Sequence, residues 1–120
     1  MANSTVTGTV IIRLDGTSIR SKAGAKLNMG GEERVPVYAD GMLIGFSAKP
    51  MAAVVTATLA HTSTSDLAAL RDTTDSSLLF ETDTGVRFSI RGAFLTKPPE
   101  LTGGEGDVAV EFTGQPAQQQ

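Results

Sequence analysis

Apolar and polar residues alternate with a period of two along most of the chain. In "VTGTVIIRLDG", Val6, Val10, Ile12 and Leu14 fall on one face, and Thr7, Thr9 and Arg13 on the other, which is the pattern of a half-buried strand. Asp15-Gly16 follows as a two-residue hairpin turn, since both central positions of that turn need positive φ. In this register Leu14 opposes Thr17 and Ile12 opposes Ile19, so the apolar side chains stay together. The stretch "GGEERVPVYADGMLIGFSAKP" repeats the device with Asp40-Gly41 at the turn. Ala39 then opposes Met42, Val37 opposes Ile44 and Val35 opposes Phe46. A long hairpin is expected, with Val35, Val37, Ile44 and Phe46 against the core. Arg34, Pro36, Tyr38, Leu43, Gly45 and Ser47 share the opposite face. Pro36 cannot donate a ladder hydrogen bond and is expected at an edge or a bulge.

"AAVVTATLA" reads as a strand with Val55, Ala57 and Leu59 inward. "STSDLAALRD" carries the one helix signal, about two turns long: Ser63 or Thr64 caps it, Asp66 sits in the first turn, and Leu67 and Leu70 repeat at helical spacing. "SSLLFETDTGVRFSI" predicts another hairpin, with Leu78 and Phe80 on one arm and Val86, Phe88 and Ile90 on the other. "DVAVEFTG" predicts a last strand with Val108, Val110 and Phe112 inward. "SKAGAKLNMGG" and "KPPELTGGEG" read as loops, the first of them mobile. The fold expected is all-β, an antiparallel sandwich or partly open barrel with one short flanking α-helix. A single domain spans 1–114, and "QPAQQQ", residues 115–120, has nothing to bury and is read as a flexible tail.

Composition narrows the function. The 120 residues suffice for one core. Ten basic residues against thirteen acidic ones give a net charge of −3, and the basic residues are scattered singly from Arg13 to Lys97. Gripping nucleic acid needs clustered Lys and Arg to displace counterions, so tight nucleic-acid binding is not expected. No apolar run reaches membrane-spanning length, and "MANSTVTGTV" lacks a basic region followed by an apolar stretch, so neither a membrane anchor nor a secretory signal is expected.

Candidate chemistry is sparse. With no cysteine and His61 as the one histidine, a zinc site lacks ligands, and a nucleophilic triad lacks its elbow motif. "TGGEGD" has glycines but no following Lys-Ser or Lys-Thr and opens no helix, so it is a loop and not a phosphate cradle. Asn3-Ser4-Thr5 matches a glycosylation sequon but lies in a frayed terminus. No catalytic, cofactor-binding or metal-binding residue is assigned. An enzyme would have to rest on scattered carboxylates such as Glu81 and Glu111. Exposed Trp or Tyr platforms of a sugar-binding module are also missing, since the chain has no Trp and one Tyr. Glu32, Glu33 and Arg34 are either a solvated hairpin foot or a set of ion pairs to a neighbouring subunit.

The order of motifs adds a family. "IIRLDGTSI", "LNMGGEERVPV", "DGMLIGFSAKP", "VTATLAH", "SDLAALRD", "SLLFETDTGVRFSIRGAF" and "GDVAVEFTG", spread over Thr5 to Gly114, resemble the tail tube proteins of Mu-like contractile phages. The resemblance implies the tail-tube fold and a structural virion protein, not an enzyme. It implies hexameric rings whose long strands join into one barrel and which stack into the inner tail tube, a conduit for DNA ejection. Sheath, tape-measure and baseplate proteins are the implied partners, with DNA passing through the lumen without specific binding. The implied location is the virion tail, assembled in the host bacterial cytoplasm. Related tubes in phage-tail-like bacteriocins and the type VI secretion machine are the alternatives, and a monomeric β-sandwich binding module is the alternative of another class.

A duct wide enough for duplex DNA exceeds what one small barrel encloses, so several copies must build it, and edge-to-edge joining removes aggregation-prone edges. The candidate subunit-interface residues are Glu32, Glu33, Arg34, Tyr38, Leu43 and Ser47 on the hairpin, for the lumen or a neighbour. Lys26, Asn28, Gly30 and Gly31, in the glycine-rich segment from Ser21 to Gly31, are the candidates for ring-to-ring contact. Asp83, Glu81, Asp107 and Glu111 are candidates for the lumen wall, where negative charge lets DNA slide. On this reading Val37→Asp abolishes folding, whereas Glu33→Arg leaves a folded monomer that assembles poorly.

Overall fold

The computed structural model describes residues 8–19, 21–22, 24–61 and 67–120. Each alternating run becomes a strand. The first hairpin is β1 (Val10–Leu14) and β2 (Thr17–Ile19), in the expected register of Ile12 with Ile19 and Leu14 with Thr17. Asp15 and Gly16 have φ of 51° and 84°, as that turn requires. Then come β3 (Lys26–Asn28), β4 (Gly31–Ala39), β5 (Met42–Met51), β6 (Ala53–Ala60) and the helix α1 (Leu67–Arg71). The remainder is β7 (Ser76–Thr82), β8 (Arg87–Leu95), β9 (Glu100–Thr102), β10 (Asp107–Gly114) and β11 (Gln118–Gln119). All strand pairs are antiparallel.

The body is a curved sheet in the order β2-β1-β7-β8-β10-β6-β3. β8 turns its corner: Phe88, Ser89, Ile90 and Ala93 pair with β7, whereas Phe94 and Leu95 pair with β10. Gly92, with φ of 64°, stands at the bend. The two ends of the sheet meet beyond β2, where Ser21 bridges to Leu59 of β6 and the Lys22 N–H donates to the Thr58 carbonyl at 2.7 Å. The result is a sandwich closed into a partly open barrel. Its core takes alternate residues from each strand: Ile12, Leu78, Phe80 and Ile90 from one half, Val55, Leu59, Val108, Val110 and Phe112 from the other, all at most 5% exposed. Phe80 meets Phe88 edge-on, with ring centroids 6.4 Å apart.

The described structure departs from the sequence reading at its short elements. The segment read as a mobile loop contains β3, which completes the edge of β6 through Leu27 opposite Val55. The segment "KPPELTGGEG" contains β9, paired to β10. Residues 115–120, read as a flexible tail, carry β11, with Gln118 opposite Ser89 and Gln119 opposite Phe88. Ala117 is half-buried against the core, and its N–H donates to the Met29 carbonyl at 2.8 Å. Backbone hydrogen bonds hold β11, so side-chain periodicity carries no sign of it. Helix α1 is a little over one turn, with Leu67 and Leu70 packed on the core. Val6, Thr7, the sequon and the expected caps Ser63, Thr64 and Asp66 lie outside the described residues. His61 follows β6, its N–H donating to the Gly106 carbonyl at 2.8 Å.

Gly114 is where β10 crosses the β8 corner. A Cβ there would lie 2.6 Å from Ile90 Cγ2 and 3.0 Å from the Arg91 carbonyl oxygen, so the two backbones touch. Gly114→Ala is expected to destabilise the fold by about 1–3 kcal/mol, the usual cost of overpacking, measured as the shift in a urea midpoint; an unchanged midpoint would refute the close approach.

Candidate functional site: the two-stranded arm

Two adjacent glycines launch the most unusual feature. Gly30 and Gly31 have φ of 73° and 103°, a conformation that L side chains rarely adopt. The Asn28 Oδ1 accepts a hydrogen bond from the Gly30 N–H at 3.0 Å. A Cβ on Gly30 would sit 2.7 Å from the backbone of Ala52 and Ala53, so the arm's root is pressed against the start of β6. From there β4 and β5 pair with each other and, among the described residues, with no other strand. The molecule extends 62 × 42 × 27 Å with a radius of gyration of 17.4 Å, against about 14 Å for a compact chain of this length.

The hairpin register corrects the sequence reading. Asp40 and Gly41, with φ of 53° and 73°, form the expected turn, and Ala39 opposes Met42. A bulge then admits one extra residue: Tyr38 opposes Leu43, Val37 opposes Gly45, and Ile44 is left over. Below it Pro36 opposes Phe46 and Val35 opposes Ser47. Phe46 therefore moves to the face of Arg34, Pro36, Tyr38 and Leu43, and Ser47 leaves it for the face of Val35 and Val37. Pro36 lies one residue from the bulge, where a missing N–H is tolerated.

Neither face packs on the core, which is the second correction. Every residue from Glu32 to Met51 is exposed. Val35, Val37, Tyr38, Met42, Leu43, Ile44, Phe46 and Met51 lie between 39% and 69% accessible. They stand on both sides of the ribbon, Val35 and Val37 on one face and Tyr38, Leu43 and Phe46 on the other, so both faces are open.

The hairpin candidates Glu32, Glu33, Arg34, Tyr38, Leu43 and Ser47 are thus all exposed on one projecting element, while Lys26 and Asn28 lie on β3 and Gly30 and Gly31 form the root. Glu32 and Arg34 pair within the chain at 3.8 Å, and the Arg34 guanidinium lies 5.2 Å over the Phe46 ring. Glu33 stands opposite Lys49 in the ladder. Sequence reasoning missed Val35, Val37, Ile44 and Phe46 as surface residues, because it assigned the hairpin an inner face. The available signal was that both faces of this hairpin are apolar.

The candidate lumen carboxylates are mostly engaged at home. Glu81 sits between Arg13 at 3.4 Å and Arg87 at 3.6 Å, and Asp107 pairs with Lys22. Asp83 accepts from the Gly8 and Thr9 N–H groups at 3.1 Å, and those bonds hold its carboxyl below the usual carboxylate range. Among the described residues no three acidic or histidine side chains converge to hold a metal. The glycine segment near His61 forms the β9–β10 turn, with the Gly106 N–H donating to the Thr102 carbonyl at 3.2 Å.

The described residues form a β-barrel body that carries a long, exposed apolar arm. The comparisons give its class. A model of the phage tail tube protein family matches residues 3–119. Over 95 residues the chain is 34% identical to the Mu-like prophage FluMu tail tube protein of Haemophilus influenzae, covering 79% of this chain and 80% of that one. Among solved structures it superposes with a TM-score of 0.69 on the sheath/tube terminator of the PVC extracellular contractile injection system, at 11% identity, covering 99% of this chain and 98% of that chain. The tube-terminating cap of the anti-feeding prophage gives a TM-score of 0.67 at 13% identity, covering 100% of this chain and 94% of that chain.

The chain belongs to the phage tail tube protein family. It is a structural component of a phage or phage-like particle, and the family is not one of enzymes.

Since Val37 is exposed on an element outside the core, the expectation that Val37→Asp abolishes folding is withdrawn. That variant is now expected to hold the melting transition of the parent to within about 0.5 kcal/mol, the usual range for surface changes. Val55→Asp, which buries a charge without a partner in the core, is expected to unfold the chain. Circular dichroism melts of both proteins check the assignment, and a collapsed Val37→Asp protein would refute it.

Proposed function

We propose that the chain assembles into hexameric rings that stack into the inner tail tube of a contractile phage tail, and that DNA passes through the lumen during ejection. The observation that carries this reading is the arm, a two-stranded ribbon whose apolar faces and outer edges have no partner among the described residues. An isolated two-stranded hairpin is marginal in water, and unpaired edges template further strands. Joining arm edges to neighbouring copies extends the sheet from one subunit to the next and hides those edges. Rotational closure of that contact gives a ring, and a second, head-to-tail contact stacks rings without closing.

Family membership supports the tube, and the 34% identity to a prophage tail tube protein favours the phage over the bacteriocin or secretion machine. Sheath, tape-measure and baseplate proteins are the expected partners, with assembly in the bacterial cytoplasm. The net charge of −3 suits a conduit that does not hold phosphates. The roles of the hairpin candidates at the subunit interface belong to this proposal.

Negative-stain electron microscopy over a concentration series, with sedimentation of the same samples, tests it. Rings or hollow tubes with sixfold symmetry are expected, and Glu33→Arg is expected to weaken them while leaving the subunit folded. One small species at every concentration, also after a tail-tip fraction is added, would overturn the proposal in favour of a monomeric binding module.

A further inference from the structure

At the foot of the arm lies a cleft of about 380 Å³, between the end of β5, the β8 corner and the segment after β10. Pro50, Met51, Phe94 and Pro116 give it apolar walls, and Gly31 and Gly92 leave its floor open; no charged residue lines it. Phe94 and Met51 remain 41% and 39% exposed there, so none of the described residues fills the cleft. At the other end of the arm, Tyr38, Met42 and Leu43 are between 62% and 69% exposed. The arm therefore has an apolar tip with no seat and an apolar seat at its root with no occupant.

The tip cannot fill its own seat. Leu43 and Met51 are eight residues apart on one strand, about 26 Å at the rise of an extended chain. A second copy can. Charge is complementary as well. Asp40 stands exposed at the turn, with no cationic partner among the described ion pairs. Arg91, next in sequence to the lining residue Gly92, is exposed and has no carboxylate among the described ion pairs, whereas Lys49, beside Pro50, has Glu33 opposite it in the ladder. The tip is the most accessible part of the arm.

We infer that the tip of each arm, Tyr38 and Leu43 flanking the Asp40-Gly41 turn, seats in the root cleft of a neighbouring copy against its Phe94 and Met51. This inference rests on the self-assembly reading and names the contact that carries it. Because the donor and acceptor surfaces differ, each copy gives one tip and receives another, and the contact propagates in one direction.

The natural absence of cysteine makes the test clean. Leu43→Cys and Phe94→Cys are made in separate chains, both at exposed positions, mixed under assembling conditions, and treated with a short bismaleimide. A covalent dimer of one chain of each kind is expected, absent when either protein is treated alone, and lost when the mixture is diluted below the assembly concentration. Assemblies seen by electron microscopy in the same tube without that dimer would overturn the seating while leaving self-assembly intact. Dimers of Leu43→Cys alone in equal yield would replace it with a tip-to-tip contact. No assembly and no dimer at any concentration would overturn the seating and the self-assembly reading together.

Discussion

A two-stranded ribbon cannot bury two faces. That constraint governs how this chain is built and used. In the body, every strand has at least one neighbour, the longer strands put one face on the core, and the sheet ends meet through Ser21 and Leu59. In the arm, β4 and β5 have only each other among the described residues, with Val35 and Val37 on one face, Tyr38, Leu43 and Phe46 on the other, and Ile44 at the bulge. Such a ribbon is held by its ladder bonds and by the Asp40-Gly41 turn. Its apolar surface stays in water until another chain covers it, and removing that surface from water is the main driving force for association.

The body's task is to hold the arm at a fixed angle, and it does so with backbone contacts. Gly30 lies against Ala52 and Ala53, where a methyl group has no room. Asn28 fixes the turn into Gly30, and Ala117 ties the residue before it to the C-terminal segment. The elements that looked least structured in the sequence, the segment leading to Gly31 and the glutamine-rich end, are therefore the ones that brace the arm's root. In the proposed ring a rigid root would matter, because a small angular error repeated at each contact accumulates around a closed circle.

Much of the body was legible in the sequence. Period-two runs with Asp-Gly turns specified β1, β2, β6, β7, β8 and β10, and the inward residues Ile12, Val55, Leu78 and Phe112 are the ones in the core. Short strands were not legible: β3, β9 and β11 have two or three residues and exist because a neighbouring edge offers backbone partners. The arm's hairpin and turn were read correctly, but its environment was not. Alternation reports which residues share a face, and it cannot say whether that face meets the chain's own core or another molecule. Pro36 pointed to an edge or a bulge, but the extra residue at Ile44 was not placed, and it moved Phe46 and Ser47 to opposite faces from those expected. The exposed hairpin candidates were found because the arm exposes both faces, so residues chosen for the outer face were on a surface in any case.

The central claim is that the arm is uncovered in the free subunit and covered by other copies in the assembly. Hydrogen–deuterium exchange of the arm amides, followed in the dilute subunit and in assembled particles, tests it most directly, because exchange reports local opening residue by residue. Residues 32–50 should exchange rapidly in the subunit while β6 and β10 are protected, and should become protected in the particle. Strong protection of the arm in the dilute subunit, or continued fast exchange in the particle, would contradict the account.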